Sequence, residues 1–227
     1  MVINNLVSFL ASRLKGENFR LDPGVTDGYL FRFAFSRGIM YLRGLLYLQR
    51  MVMVGSGVQL FAKSHMRFGR SVSIDDGCVV NGLSRDGILF GDNVSIQKRT
   101  IIECTGSLRH LGKGLSLGRN VGVGSNSFLG CAGGIDIGDD TIIGNYVSFH
   151  SENHNHSDIG MPIRLQGVSH LGIKVGRGCW IGAKVTILDG AVIEDGCIIA
   201  AGALLPRGRY VANSIYGGVP AKLIKKR

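Results

Sequence analysis

The stretch YVSFHSENHNHSD, residues 146–158, sets His150, His154 and His156 four and two residues apart, with Glu152 and Asp158 among them. Imidazole titrates near neutrality, so one such ring can take the proton of an attacking hydroxyl and pass it to a leaving group. The same His-x3-His-x-His spacing could hold zinc, for which a fourth ligand would have to come from Glu152 or Asp158. A third reading is a solvated surface cluster with no chemistry. No serine or cysteine stands in a nucleophile motif. Cys78, Cys104, Cys131, Cys179 and Cys197 are odd in number and form no CxxC pair. That argues against a zinc ribbon or a closed disulfide framework and leaves buried reduced thiols.

The histidines follow Phe149, the last member of a six-residue register, and precede the non-periodic segment 157–174, which reads as an active-site loop. The register is clearest in VGRGCWIGAKVTILDGAVIEDGCIIAAGALLPRG, where Val175, Ile181, Ile187, Ile193, Ile199 and Leu205 stand six apart. Small residues, Cys179, Val185, Ala191, Cys197 and Ala203, follow four positions after the first five. The register recurs at Leu117, Val123, Leu129 and Ile135, and shifts by two at Ile137, Ile143 and Phe149. Weaker traces occur at Phe68 and Ile74 and at Phe90, Ile96 and Ile102. A hexad of aliphatic and small residues is a parallel β-helix repeat. Each hexad forms one flat face and three make a turn, so residues 18 apart stack: Val175 over Ile193, Cys179 over Cys197. Glycine, 35 of 227 residues and roughly double the usual ~7%, is then expected at tight corners where φ is positive or a Cβ would clash.

The ends differ from the middle. Residues 1–60 carry seven basic and three acidic side chains, residues 61–204 thirteen of each, and residues 205–227 six basic and none acidic. A neutral main domain lacks the basic, aromatic-interleaved face of a nucleic-acid binder. Residues 1–57 read as helical. Ile3, Leu6, Val7, Leu10 and Leu14 form one stripe, Pro23 and Gly24 break the chain, and a second helix runs over about 27–51. That second helix is apolar nearly all round except for Arg32, Arg43 and Arg50, which share a stripe. It either lies on an anionic membrane surface or packs against the main domain or a partner subunit with its arginines solvated. Arginines interrupt every apolar run short of a membrane span, and no charged region precedes the apolar start, so a cytoplasmic protein is expected.

The hexads, the segment YVSFHSENHNH, the Trp-Ile-Gly coil and the ending YGGVPAKLIKKR together resemble the hexapeptide-repeat acyltransferases, most closely the galactoside, maltose and bacterial polysaccharide O-acetyltransferases. The resemblance covers about residues 60–225. It implies a left-handed β-helix and places the family's catalytic base on His154. It also implies acetyl-CoA as acyl donor, with the backbone at Gly182, Ala183 and Ala201 approaching the pantetheine arm and an oxyanion donor in the Gly182–Ala183 turn. Trp180 would wall the acetyl or acceptor pocket, and Arg207, Lys222 and Lys225 would meet the nucleotide phosphates. Small residues at a coil corner and a solvated basic tail are the bland alternatives. On the acceptor side Asn126, Glu152 and His156 are candidates, Asn126 alternatively stacking in a β-helix corner and Glu152 alternatively orienting His154. The chain departs from the family pattern at Ser151, where an acidic residue often stands, at Gly217–Val219 and at Pro206–Arg207.

The expected architecture is therefore mainly β: a left-handed parallel β-helix over 58–210 with an excursion at 157–174, an N-terminal helical segment at 1–57, and a basic tail at 211–227 with a short C-terminal helix. The function implied is acetyl transfer to a sugar hydroxyl of a surface polysaccharide or its precursor. His154 would act as base without metal, in a homotrimer whose active sites lie between subunits. Transfer to the amino group of a nucleotide sugar or to a small acceptor is the alternative enzyme, and a non-catalytic scaffold the alternative of another class.

Overall fold

Why hexads coil is visible in the ladders of the computed structural model, which describes residues 21–227. Three parallel sheets form the sides of a prism, with nine, seven and seven strands. On the first face Ile74, Ile96, Val123, Ile143, Ile181 and Ile199 stack in register, one per coil. The second face stacks Val80, Ile102, Leu129, Phe149, Ile187 and Leu205, and the third Phe90, Leu117, Ile137, Val175 and Ile193. All of these side chains point inward and are buried, while their neighbours alternate outward. Truncating one, as in Ile181→Ala, would open a cavity costing about 2–5 kcal/mol. All five cysteines are free and buried in the same core, and Cys78 and Cys179 donate to the carbonyls of Gln97 and Glu194.

Two corners turn through the left-handed region once per coil, and glycine does not monopolise them. One runs Gly57, Gly77, Arg99, Asn126, Tyr146, Lys184, Gly202, all with positive φ. Periodic glycine has a second cause: a Cβ on Gly182 would lie 2.6 Å from the Ala201 nitrogen one coil up. Asp92 and Asp139 cap the other corner, each accepting an N–H from Arg70 or Arg119 and pairing with its guanidinium. Those contacts hold both carboxylates below their usual pKa.

The first coil begins at the strand Met53–Val54, five residues before the boundary expected from the hexads. Ahead of it runs the helix α1, Asp27–Leu48, started by the Thr26 hydroxyl, which accepts from the Tyr29 N–H at 3.3 Å, and ended by Gln49 at φ 53°. Gly44 lets α1 meet the first coil, since a Cβ there would stand 1.7 Å from the Val52 carbonyl oxygen. The amphipathic stripe Ile3–Leu14 lies outside the described residues.

Strands stand where a short C-terminal helix is expected from the sequence. Residues Ser214–Gly218 form the last parallel strand of the first face, and Ala221–Lys226 return antiparallel beside it. The sequence AKLIKK has helix formers, but its backbone closes the exposed edge of the top coil, where the ladder offers hydrogen bonds that a helix would leave unmade.

Candidate active site

The excursion leaves the prism at the corner between the second and third faces. Its root is Ser151, 1% exposed, whose hydroxyl donates to the Gly130 carbonyl at 2.7 Å and accepts from the Gly133 N–H at 2.9 Å. The serine that departs from the family pattern thus ties the start of the loop to the coil below. The strand Asn153–His154 then pairs antiparallel with Val168–Ser169, on the way back. Between them the Gln166 side chain cross-braces the loop, donating to the carbonyls of Asp158 and Met161 at 2.7 and 2.8 Å and accepting from the Asp158 N–H.

A carboxylate that no sequence motif singles out holds the base of this loop. Asp189, 4% exposed, accepts the Leu171 N–H at 2.9 Å, the Gly172 N–H at 2.8 Å and the Asn153 amide at 3.3 Å. The outgoing and returning arms therefore meet at one buried acceptor, next to His154. Leu171 stands 18 residues before Asp189, one coil below it, but the hexad pattern does not show that the returning arm of the excursion presents its N–H groups there.

His154, exposed, faces a cavity of about 610 Å³ together with His156, Asp158, Met161, Gln166 and Ser169. Among the described residues neither its ring nor that of His156 has a side-chain hydrogen bond. His150 turns elsewhere, with Nε2 3.1 Å from the Ser148 hydroxyl and its ring 5.6 Å from Phe128. Glu152 does not line the cavity. Asn126 occupies the other corner of the second face at φ 57°, where its Oδ1 accepts from Arg99 Nε at 2.9 Å, so the corner geometry accounts for it. No group of three histidine, cysteine or acidic side chains among the described residues is placed to hold a metal ion.

The residues expected to meet coenzyme A divide. Trp180, 56% exposed, extends an outward row with Ile142 and Ile198 on the first face. The adjoining corner carries Asn145, Ala183 and Ala201 on successive coils, with Lys222 paired beside Gly217 and Lys225 beside Ile215 on the returning strand. Two lower coils close this corner, the Ser56 N–H being taken by Asp76 Oδ1 and the Ser125 N–H by Asn145 Oδ1 at 2.8 and 2.9 Å, whereas the Asp76 and Lys98 N–H groups meet no acceptor among the described residues. Ala183 and Ala201 have no side-chain acceptor to offer, so among the described residues the N–H groups of Asn145 and Ala183 also meet no acceptor, while the Gly182 N–H is engaged by the Ile199 carbonyl. Small side chains thus leave the Asn145 and Ala183 N–H groups open at the corner that adjoins the exposed Trp180 indole. Arg207 lies apart from this corner, its Cγ near Gly190 at the base of the excursion.

Residues 172–207 match the family model of the bacterial transferase hexapeptide (six repeats), and residues 114–147 the hexapeptide repeat of succinyl-transferase. A Mycobacterium tuberculosis protein designated acetyltransferase Rv3034c is 30% identical over 87% of this chain and 55% of its own length. The chain thus spans about half of that relative. WbbJ of Escherichia coli K12, designated a lipopolysaccharide biosynthesis O-acetyl transferase, is 32% identical over 71% of each chain. Among solved structures, a variant of AntD, an N-acyltransferase from Bacillus cereus in complex with dTDP and coenzyme A, superposes with a TM-score of 0.56 at 18% identity, covering 78% of this chain and 81% of its own. A hexapeptide-repeat acetyltransferase from Vibrio cholerae complexed with acetyl coenzyme A gives 0.51 at 23% identity, covering 60% and 69%.

Proposed function

Since the chain belongs to the hexapeptide-repeat acetyltransferases, we propose that it transfers an acetyl group from acetyl-CoA to a hydroxyl of a saccharide. The acceptor would be a unit of a surface polysaccharide or its lipid-linked precursor, the class named for the E. coli relative. The observation that carries the reading is His154, unengaged at the mouth of a cavity on a loop whose two arms are pinned at Asp189.

The chemistry balances with one base. His154 takes the proton as the sugar oxygen attacks the thioester carbonyl carbon, and the carbonyl oxygen becomes the oxyanion. Collapse expels the sulfur, which takes the proton back from the imidazolium and leaves as coenzyme A thiol. The uncapped Ala183 N–H suits the oxyanion or a pantetheine carbonyl, Trp180 walls the arm, and Lys222 and Lys225 suit the phosphates.

In a homotrimer the excursion of one chain would reach the Asn145–Ala183–Ala201 corner of its neighbour, which answers why base and donor corner stand on different edges of one prism. Mixed trimers test this arrangement. Subunits carrying His154→Ala combined with subunits carrying Trp180→Ala and Lys222→Glu should recover part of the activity that each lacks alone. Recovery absent from verified mixed trimers would place the whole site within one chain. An amine acceptor on a nucleotide sugar would use the same base, and an acceptor panel separates it from the hydroxyl reading.

A further inference from the structure

α1 buries one side only, through Leu30, Met40 and Gly44. At about 100° per residue, the opposite side is formed by Phe31, Phe35, Leu42 and Leu46, which fall within an arc of roughly 60°. All four are exposed, at 68, 63, 57 and 71%, and Phe31 and Phe35 stack on each other with ring centres 6.4 Å apart. A helix on a folded domain ordinarily turns polar residues outward, so two opposed apolar faces call for a second apolar medium. Arg32 and Arg43 lie about 40–60° round from the outer stripe by the same rotation, and Arg50 follows the helix end.

Charge decides what that medium is. Between Gly28 and Met51 the chain has four arginines and no acidic residue. Of these, Arg37 pairs with Asp75 at 3.4 Å and helps fasten α1 to the β-helix. Half-buried Arg43 shares the seam with Asp76, whose carboxylate is held below the usual pKa chiefly by the Ser56 N–H and in part by Arg43. That leaves Arg32 and Arg50 exposed and outside any ion pair among the described residues. A second copy of α1 would bring more arginine and no anion to this face. A bilayer carrying anionic lipid supplies both partners, acyl chains for the phenylalanine and leucine stripe and phosphate for the arginines at its edge. No helix among the described residues is long and apolar enough to cross a membrane, so contact through this face is peripheral.

We infer that α1 lies on an anionic membrane surface, with Phe31, Phe35, Leu42 and Leu46 entering the acyl boundary and Arg32 and Arg50 at the headgroups. This stands apart from the transfer reaction and would hold for a catalytically silent chain.

The test is cosedimentation of the full chain with vesicles of phosphatidylcholine alone or with 30 mol% phosphatidylglycerol. Binding should be at least tenfold tighter to the anionic vesicles and weaken in 0.5 M salt. Replacing Phe31, Phe35, Leu42 and Leu46 with glutamine should lower vesicle binding at least tenfold without lowering the melting temperature, since none of the four is a core residue. Arg32→Glu with Arg50→Glu, both exposed positions, should remove the preference for phosphatidylglycerol and spare the fold. Equal binding by the wild type and the glutamine variant, or no vesicle binding at all, would overturn the inference. Loss of oligomer in light scattering with vesicle binding unchanged would assign the face to a copy of the chain instead.

Discussion

Replacing Asp189 with alanine removes the acceptor shared by both arms of the loop that carries His154. The Leu171 and Gly172 N–H groups then lack a partner at the buried corner, at about 1–3 kcal/mol each, or about 2–6 kcal/mol together. Little of this need appear as global instability. The excursion can open while the hexad core stays packed, so the loss in global unfolding free energy is capped by the loop's own ordering free energy. The opening equilibrium itself should rise at least tenfold, tenfold corresponding to about 1.4 kcal/mol, and hydrogen exchange at Leu171 and Gly172 reads it directly. A misplaced His154 lowers the chemical step, where a displacement of about 1 Å can cost on the order of a hundredfold. In an acetyl-CoA assay read as thiol release, kcat should fall about ten- to a hundredfold while KM for acetyl-CoA holds. Asp189→Asn, which keeps one acceptor oxygen, should fall between the wild type and Asp189→Ala. Exchange protection retained at Leu171 and Gly172 with kcat within twofold of wild type would refute Asp189 as a positioning residue.

The cysteine thiols should be silent in the native protein. Burial pushes Cys78 and Cys179 up to about 11 and raises Cys131 and Cys197, so a disulfide reagent at pH 8 should titrate none before guanidinium is added and five after; fast native reaction would contradict the packing. Acid should destabilise the corners. Asp92, Asp139 and Glu194 have folded-state pKa values below their unfolded ones, so their stabilisation is present above the unfolded values and is lost as pH falls through the folded ones. Melting temperature should be flat from pH 6 to 8 and fall below about pH 4; a rise in acid would oppose this. Gly182→Ser forces a Cβ against the Ala201 backbone and should cost about 1–3 kcal/mol or more, against about 1–2 kcal/mol for Gly202→Ala, where space is open but φ is positive; equal melting temperatures would remove the close-approach argument. Light scattering should give three times the 24.4 kDa chain mass, and a strictly monomeric species would remove the shared site.

Where stacking fixed the position, the residue pattern was enough. Ile181, Ile187, Ile193 and Ile199 repeat at six because each occupies one face of one coil, and even the weaker traces at Phe68 and Phe90 pair in register. The free, buried cysteines follow from the same period. What escaped depended on encounters between distant segments. Asp189 gains its donors only where the excursion returns. The strand Ala221–Lys226 is set by an open sheet edge that outweighs its helix propensity. The open N–H groups at Asn145 and Ala183 were signalled by the alanines at 183 and 201, but only the two coils where Asp76 and Asn145 supply an acceptor show what an alanine withholds.

The central claim is tested most directly by thiol release from acetyl-CoA by the purified chain against mono- and oligosaccharides, nucleotide sugars and a membrane glycolipid extract. The account predicts release that depends on a saccharide hydroxyl and is abolished by His154→Ala, with coenzyme A binding by calorimetry unchanged. Release that persists in His154→Ala would remove it as the base. No release from any acceptor, together with no coenzyme A binding, would contradict the assignment as a transferase.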